Sequence, residues 1–142
     1  MIDDATGEAI CVVDLDTVMP GLVLYDFGDS VRTGACSADE DEPDLSKVEM
    51  ELAKFDRLVA GYMEEAQEFL LPIEIDYLAF SAKLMTFEQA MRFLADHLAG
   101  DVYYKTHRPG HNLDRARTQI KLVQDMEGKA EAMEQIVVKY RS

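Results

Sequence analysis

The chain has 142 residues, 48% of them hydrophobic, with 28 acidic side chains against 14 basic ones and a formal net charge of −14. That length and apolar fraction fit one globular domain with a real core. The acidic balance argues against a nucleic-acid binder or a protein held on an anionic membrane, because both surfaces are negative. No apolar run approaches the ~20 residues that span a bilayer. The start, Met1-Ile2-Asp3-Asp4, is acidic where a secretory signal would be basic and then apolar. Cys11 and Cys36 are widely spaced and sit in no metal-ligand pattern, which points to reduced thiols in a cytoplasmic protein.

The first segment reads as a β-hairpin. Residues 3–8 are turn-forming, with Gly7 free to take positive φ, and Ala9-Ile10-Cys11-Val12-Val13 is a short run suited to a buried strand. Asp14 and Asp16 arrive as that strand ends. Pro20 and Gly21 then break regular structure before Leu22 to Asp29, which reads as irregular. Residues 37–46 form an acidic stretch expected to be an exposed loop (Asp39, Glu40, Asp41, Glu42, then Pro43).

Three long helices are expected over 47–142. Val48, Leu52, Phe55, Val59, Tyr62 and Ala66 recur at three- and four-residue steps, with Asp44 or Ser46 as N-cap. A second helix is expected from near Ile73 to Ala99. It is apolar all round, as befits a helix buried in a bundle, and Gly100 ends it. The Pro109-Gly110 pair interrupts the chain, and Asn112 or Asp114 starts a last helix through Tyr140. The expected fold is therefore mainly α with a short N-terminal β-hairpin.

The strongest local signal for chemistry is Val12-Val13-Asp14-Leu15-Asp16. A buried strand that releases an aspartate at its end is one way to hold Mg²⁺ against phosphates, since the hard cation needs carboxylate oxygens. Asp-x-Asp is common, however, and spacing alone favours two carboxylates that merely solvate a strand end. Asp26-Phe27-Gly28 resembles a kinase metal motif, but its context makes Asp26 a structural, buried carboxylate accepting backbone N–H bonds. His97, His107 and His111 have no zinc-like spacing. No Gly-x-Ser-x-Gly elbow is present, and the eight methionines fall at helical spacing, as core filler.

Thr6 to Gly21 closely resembles the N-acetylhexosamine 1-kinases of the aminoglycoside-phosphotransferase-like superfamily. The likeness continues through Leu24-Tyr25-Asp26-Phe27-Gly28-Asp29-Ser30-Val31-Arg32. It resumes at Phe80-Ser81-Ala82-Lys83-Leu84-Met85-Thr86-Phe87-Glu88 and along His111-Asn112-Leu113-Asp114-Arg115-Ala116-Arg117. The resemblance implies the helical C-terminal subdomain of a protein-kinase-like fold. Within it, 1–36 is a hairpin remnant with the metal-site segment of the C-lobe, 37–46 the acidic loop and 47–142 a helical substrate-binding subdomain.

The resemblance also implies roles. Asp14 matches the aspartate that binds Mg²⁺ on the ATP phosphates, and Asp16 supports the metal or a sugar hydroxyl. Asp26 matches a buried aspartate that steadies the catalytic loop. Arg92 and Tyr103 match positions lining a sugar pocket, with a surface salt bridge as the competing role for Arg92. Mg²⁺, ATP and an N-acetylhexosamine are then the cofactors and substrate of the parent protein.

The departures are equally specific. The His-x-Asp-x-x-x-x-Asn loop of that family, which supplies the base, and the nucleotide-binding lobe are both missing. This chain alone is thus expected to be inactive, without cofactor, and prone to self-association through the faces of Ile10, Val12, Val13 and Leu22 to Phe27. The alternatives are a choline- or aminoglycoside-type kinase, or a non-catalytic helical interaction domain. Relatives have been labelled mucin desulfatases; no Cys/Ser-x-Pro-x-Arg pattern is present to support that chemistry.

Overall fold

A computed structural model describes residues 1–16 and 18–141; Thr17, part of the run that carries the family resemblance, lies outside it. Among the described residues there are six α-helices and no strand. They are α1 (Val23–Gly34), α2 (Leu52–Ala66), α3 (Pro72–Asp76), α4 (Leu78–Leu98), α5 (His111–Gly128) and α6 (Ala130–Lys139), with a 3₁₀ turn at Leu45–Lys47. The chain is mainly α.

In place of the expected hairpin there is a single antiparallel bridge, Ile2 to Ala9. Asp3 closes the turn by accepting from the backbone N–H of Ala5 and Thr6, both at 2.9 Å, and Gly7 takes φ 73°. Beyond Cys11, whose carbonyl accepts from the Met1 ammonium at 2.6 Å, no ladder continues among the described residues, and the β-branched residues stay exposed: Val12 at 78% and Val13 at 55%. A strand is stabilised by its ladder and its cross-strand contacts, not by propensity alone.

The segment after Gly21 is helical, which corrects the irregular reading of 22–29. Phe27, Gly28 and Val31 face inward from α1, with Asp26 in its first turn and Arg32 in its last, where their charges oppose the helix dipole. Phe27 packs against Phe55 and Tyr62, with ring centroids 6.4 and 4.9 Å away, so it is not part of the exposed face expected for Leu22 to Phe27. Leu22 itself is exposed.

Helix α4 lies at the centre, packed on α1, α3, α5 and α6, while α2 packs on α1 and α6. One apolar cluster joins all of them, from Phe27 and Val31 through Phe55 and Leu78 to Leu122, Met126 and Val137. Two of the three expected long helices are each split in two. Tyr77 (φ −98°, ψ 3°) separates α3 from α4, and Lys129 (φ −108°, ψ 6°) separates α5 from α6. A one-residue break re-aims the axis without interrupting the apolar periodicity.

The acidic loop is pinned to the bundle, not free in solvent. An antiparallel bridge between Cys36 and Met50 closes its base, and Asp44 caps the 3₁₀ turn by accepting from the Ser46 N–H. Glu40 pairs with Arg32 at 2.7 Å and with Arg115 at 3.6 Å. Asp41 meets His111 at 2.9 Å and Arg108 at 3.3 Å, and the Thr118 hydroxyl donates to the Glu42 carbonyl. No helix among the described residues is long and apolar enough to cross a membrane.

Candidate functional site

The C-terminal end of α4 and the turn that follows build a shallow, widely open recess of about 440 Å³ lined by Arg92, Ala95, Asp96, Ala99, Tyr103 and Tyr104. Its organising group is Asp96. A carboxylate near a helix C-terminus is disfavoured by the dipole, so a buried one there needs donors from elsewhere. Asp96 obtains four: the backbone N–H groups of Val102 (3.0 Å), Tyr103 (2.8 Å) and Tyr104 (2.9 Å), and the Asn112 side-chain amide (2.8 Å). The reversal that brings those amides round uses left-handed backbone at Gly100 (φ 96°) and Asp101 (φ 59°). Burial raises the Asp96 pKa, and the Tyr104, Tyr103 and Val102 N–H groups outweigh it, leaving the carboxyl below its ordinary value.

Asn112, fully buried at the start of α5, spans two carboxylates by also donating to Asp101 at 2.9 Å, and its oxygen accepts from Arg115 at 3.0 Å. The turn is therefore fixed from both sides, and with it the two tyrosines. Tyr104 packs tilted against Phe93 (4.7 Å between centroids), accepts at its hydroxyl from the Gln89 side-chain amide at 3.2 Å, and stands at 80° to the exposed Tyr103 ring. The Arg92 guanidinium lies 6.0 Å from the Tyr103 ring and 5.7 Å from that of Tyr104.

Arg92 and Tyr103, eleven positions apart in sequence, are thus brought together. Arg92 also has the competing neighbour, Glu88, at 3.8 Å, a loose contact between two half-exposed side chains. Such exposed pairs contribute little, so the guanidinium keeps donors free for another acceptor. An aromatic face beside a fan of N–H donors suits a flat polyhydroxylated ring, with C–H groups on the tyrosine and hydroxyls on the arginine.

The aspartate segment is arranged differently. Asp14 (φ 65°) and Asp16 are exposed, and no group of three His, Cys, Asp or Glu among the described residues converges as a metal site. Magnesium demands near-octahedral oxygen ligation, and these two carboxylates do not supply it by themselves. Asp26 is exposed in the first turn of α1, contrary to the expected buried carboxylate, because α1 turns Phe27 and Gly28 inward instead. His107 and His111 are adjacent, yet the His111 Nδ1 accepts from the His107 N–H at 3.2 Å and its Nε2 faces Asp41, so both nitrogens are engaged within the protein.

Asp96, Tyr104 and Gln89 were not singled out from the sequence, and Asn112 only as a helix start within a resemblance motif. The available signal was Asp96 itself, a lone carboxylate in the apolar last turns of α4. No protein-family model matches this chain.

Proposed function

We propose that this chain is the sugar-binding helical part of an ATP-dependent kinase acting on the anomeric hydroxyl of N-acetylhexosamines. The bundle would be the C-terminal subdomain of a protein-kinase-like fold. The observation that carries the reading is the pairing of Arg92 with Tyr103 over one recess, two residues that the family resemblance alone assigns to a sugar pocket. Arg92 bonds ring hydroxyls or the acetamido carbonyl, and Tyr103 covers a sugar face. Asp14 and Asp16 offer carboxylates toward the magnesium of MgATP, the remaining ligands and the base coming from groups these 142 residues do not contain. The chain by itself then binds sugar weakly and transfers no phosphate.

The test is a titration of the ¹⁵N-labelled chain with N-acetylglucosamine, N-acetylgalactosamine, choline and an aminoglycoside. Shifts confined to Arg92, Tyr103, Tyr104 and their neighbours, seen with the hexosamines and reduced roughly tenfold or more in affinity by Arg92→Ala, support the reading; a lost charge-assisted hydrogen bond has about that effect. Shifts there only with choline or the aminoglycoside would replace it with the other kinase class. No response to any of the four would leave the helical interaction domain.

A further inference from the structure

Helix α4 has two apolar faces. The face inside the bundle sets Leu78 and Phe93 among small side chains, Ala79, Ser81, Ala82 and Ala90. The outward face carries Tyr77 at the helix start and then Phe80, Leu84, Phe87 and Met91, all between 42% and 52% exposed, with Leu94 half-buried at the end of the row. These six positions advance by three, four, three, four and three residues. That is the 3.5-residue period of a coiled-coil seam, whose large side chains are selected to fill holes on a facing helix.

The series reads the same in either direction. Two copies of α4 packed antiparallel about a two-fold axis between Leu84 and Phe87 therefore set Leu84 against Phe87 of the second copy. The same register sets Phe80 against Met91 and Tyr77 against Leu94. A symmetric pair needs a self-complementary patch of this kind. The five most exposed side chains, each about half exposed, leave about 100 Å² apiece if a large side chain buries ~200 Å². Tyr25 beside Leu84 and Val123 beside Phe80 and Phe87 widen the patch. Complete coverage of these side chains in two copies would bury at most about 1,200 Å² in total, the lower bound of a specific interface.

We propose that this chain forms an antiparallel two-fold dimer through the outward seam of α4. The proposal does not rest on the sugar-kinase reading, and the surface is distinct from the N-terminal faces of Ile10, Val12 and Val13. The opposing term is a charge of −14 on each copy, which screening confines to ~8 Å at physiological ionic strength. Association therefore tightens as salt rises.

Sedimentation equilibrium of the intact chain at low and moderate salt is the first measurement. A salt-strengthened dimer is expected, weakened at least ~10-fold by Leu84→Glu or Phe87→Glu with helix content unchanged, and retained when residues 1–19 are removed. The register is read by mixing a Leu84→Cys chain with a Phe87→Cys chain, both carrying Cys11→Ser and Cys36→Ser, under mild oxidation. The mixed disulfide should exceed either self-pairing. A monomer at all salt concentrations, or a dimer untouched by the glutamates, would overturn the proposal. Self-paired disulfides in excess would overturn the antiparallel register.

Discussion

The Asn112 side chain donates to Asp96 at 2.8 Å with both residues buried, and this one bond ties the start of α5 to the end of α4. It also closes a polar circuit, because the same amide reaches Asp101 and the Asn112 oxygen accepts from Arg115. Replacing Asn112 by Leu keeps the volume but leaves Asp96 short of a donor and Arg115 short of an acceptor. Unsatisfied buried partners cost about 1–3 kcal/mol, so urea unfolding should show a loss of that size. Amide exchange should quicken first at Val102, Tyr103 and Tyr104, whose N–H groups lean on the same carboxylate.

Acid should loosen two places in a defined order of cause. For Asp41, burial raises the pKa, but the neighbouring His111 and Arg108 outweigh it, and the carboxyl stays below its ordinary value. Asp96 is lowered as well, through its backbone donors. A carboxyl depressed in the folded state contributes stability that is fully present above the unfolded value of 3.8 and is lost as pH falls through the folded value. Thermal midpoints should therefore hold steady down to mildly acidic pH and drop below it. Asp41→Asn and Asp96→Asn should each start from a lower midpoint and show a shallower acid loss.

Two glycines should respond to alanine with opposite signs. A Cβ on Gly28 would sit 2.5 Å from the Ser81 carbonyl oxygen and 2.7 Å from the Met85 Cγ, at a close contact between α1 and α4. The backbone oxygen cannot yield cheaply, so Gly28→Ala should destabilise by about 1–3 kcal/mol. Gly61, inside α2, has nothing within 4 Å of the same position. Gly61→Ala should stabilise by about 0.5–1 kcal/mol, through helix propensity and a less flexible unfolded chain. Paired denaturation curves decide both.

Helical content after residue 47 was legible in the sequence because apolar residues at three- and four-residue steps have few other solutions. Helix α1 was not, its inward Phe27 and Val31 being interleaved with Asp26, Gly28 and Asp29. Helix ends were legible where glycine marked them, at Gly100 and near Gly110. The breaks at Tyr77 and Lys129 were not, since neither residue is a helix breaker and the apolar rows run straight through them. Residues 9–13 have strand propensity but only Ala9, Ile10 and Cys11 pair with the short N-terminal segment, and propensity cannot report how far a ladder extends. Arg92 and Tyr103 came from the family resemblance alone. Asp96 was obscured by the apolar residues around it, and its donors lie in a turn whose shape depends on left-handed Asp101.

The clamp on the acidic loop gives the last prediction. Arg32, only 10% exposed at its side chain, holds Asp29 and Glu40, both at 2.7 Å. Burial lowers the Arg32 pKa, but those two carboxylates outweigh it, so the guanidinium is held firmly charged. The pair is only half buried, the Glu40 side chain being 38% exposed, and Arg32 keeps Asp29 when Glu40 is removed. Loss of either carboxylate is therefore partly compensated, and replacing Arg32 and Glu40 together by apolar groups removes the weakened charge as well. Glu40→Met should therefore destabilise by about 0.5–1 kcal/mol, and also leave the Arg115 Nε, which has no hydrogen-bond partner among the described residues, without the carboxylate 3.6 Å away. Arg32→Met should destabilise comparably, and the double variant by clearly less than the sum. Neighbours in one network show couplings of about 0.5–3 kcal/mol. A double-mutant cycle read by urea unfolding measures this directly, and strict additivity would mean that the loop lies on the bundle without being held by it.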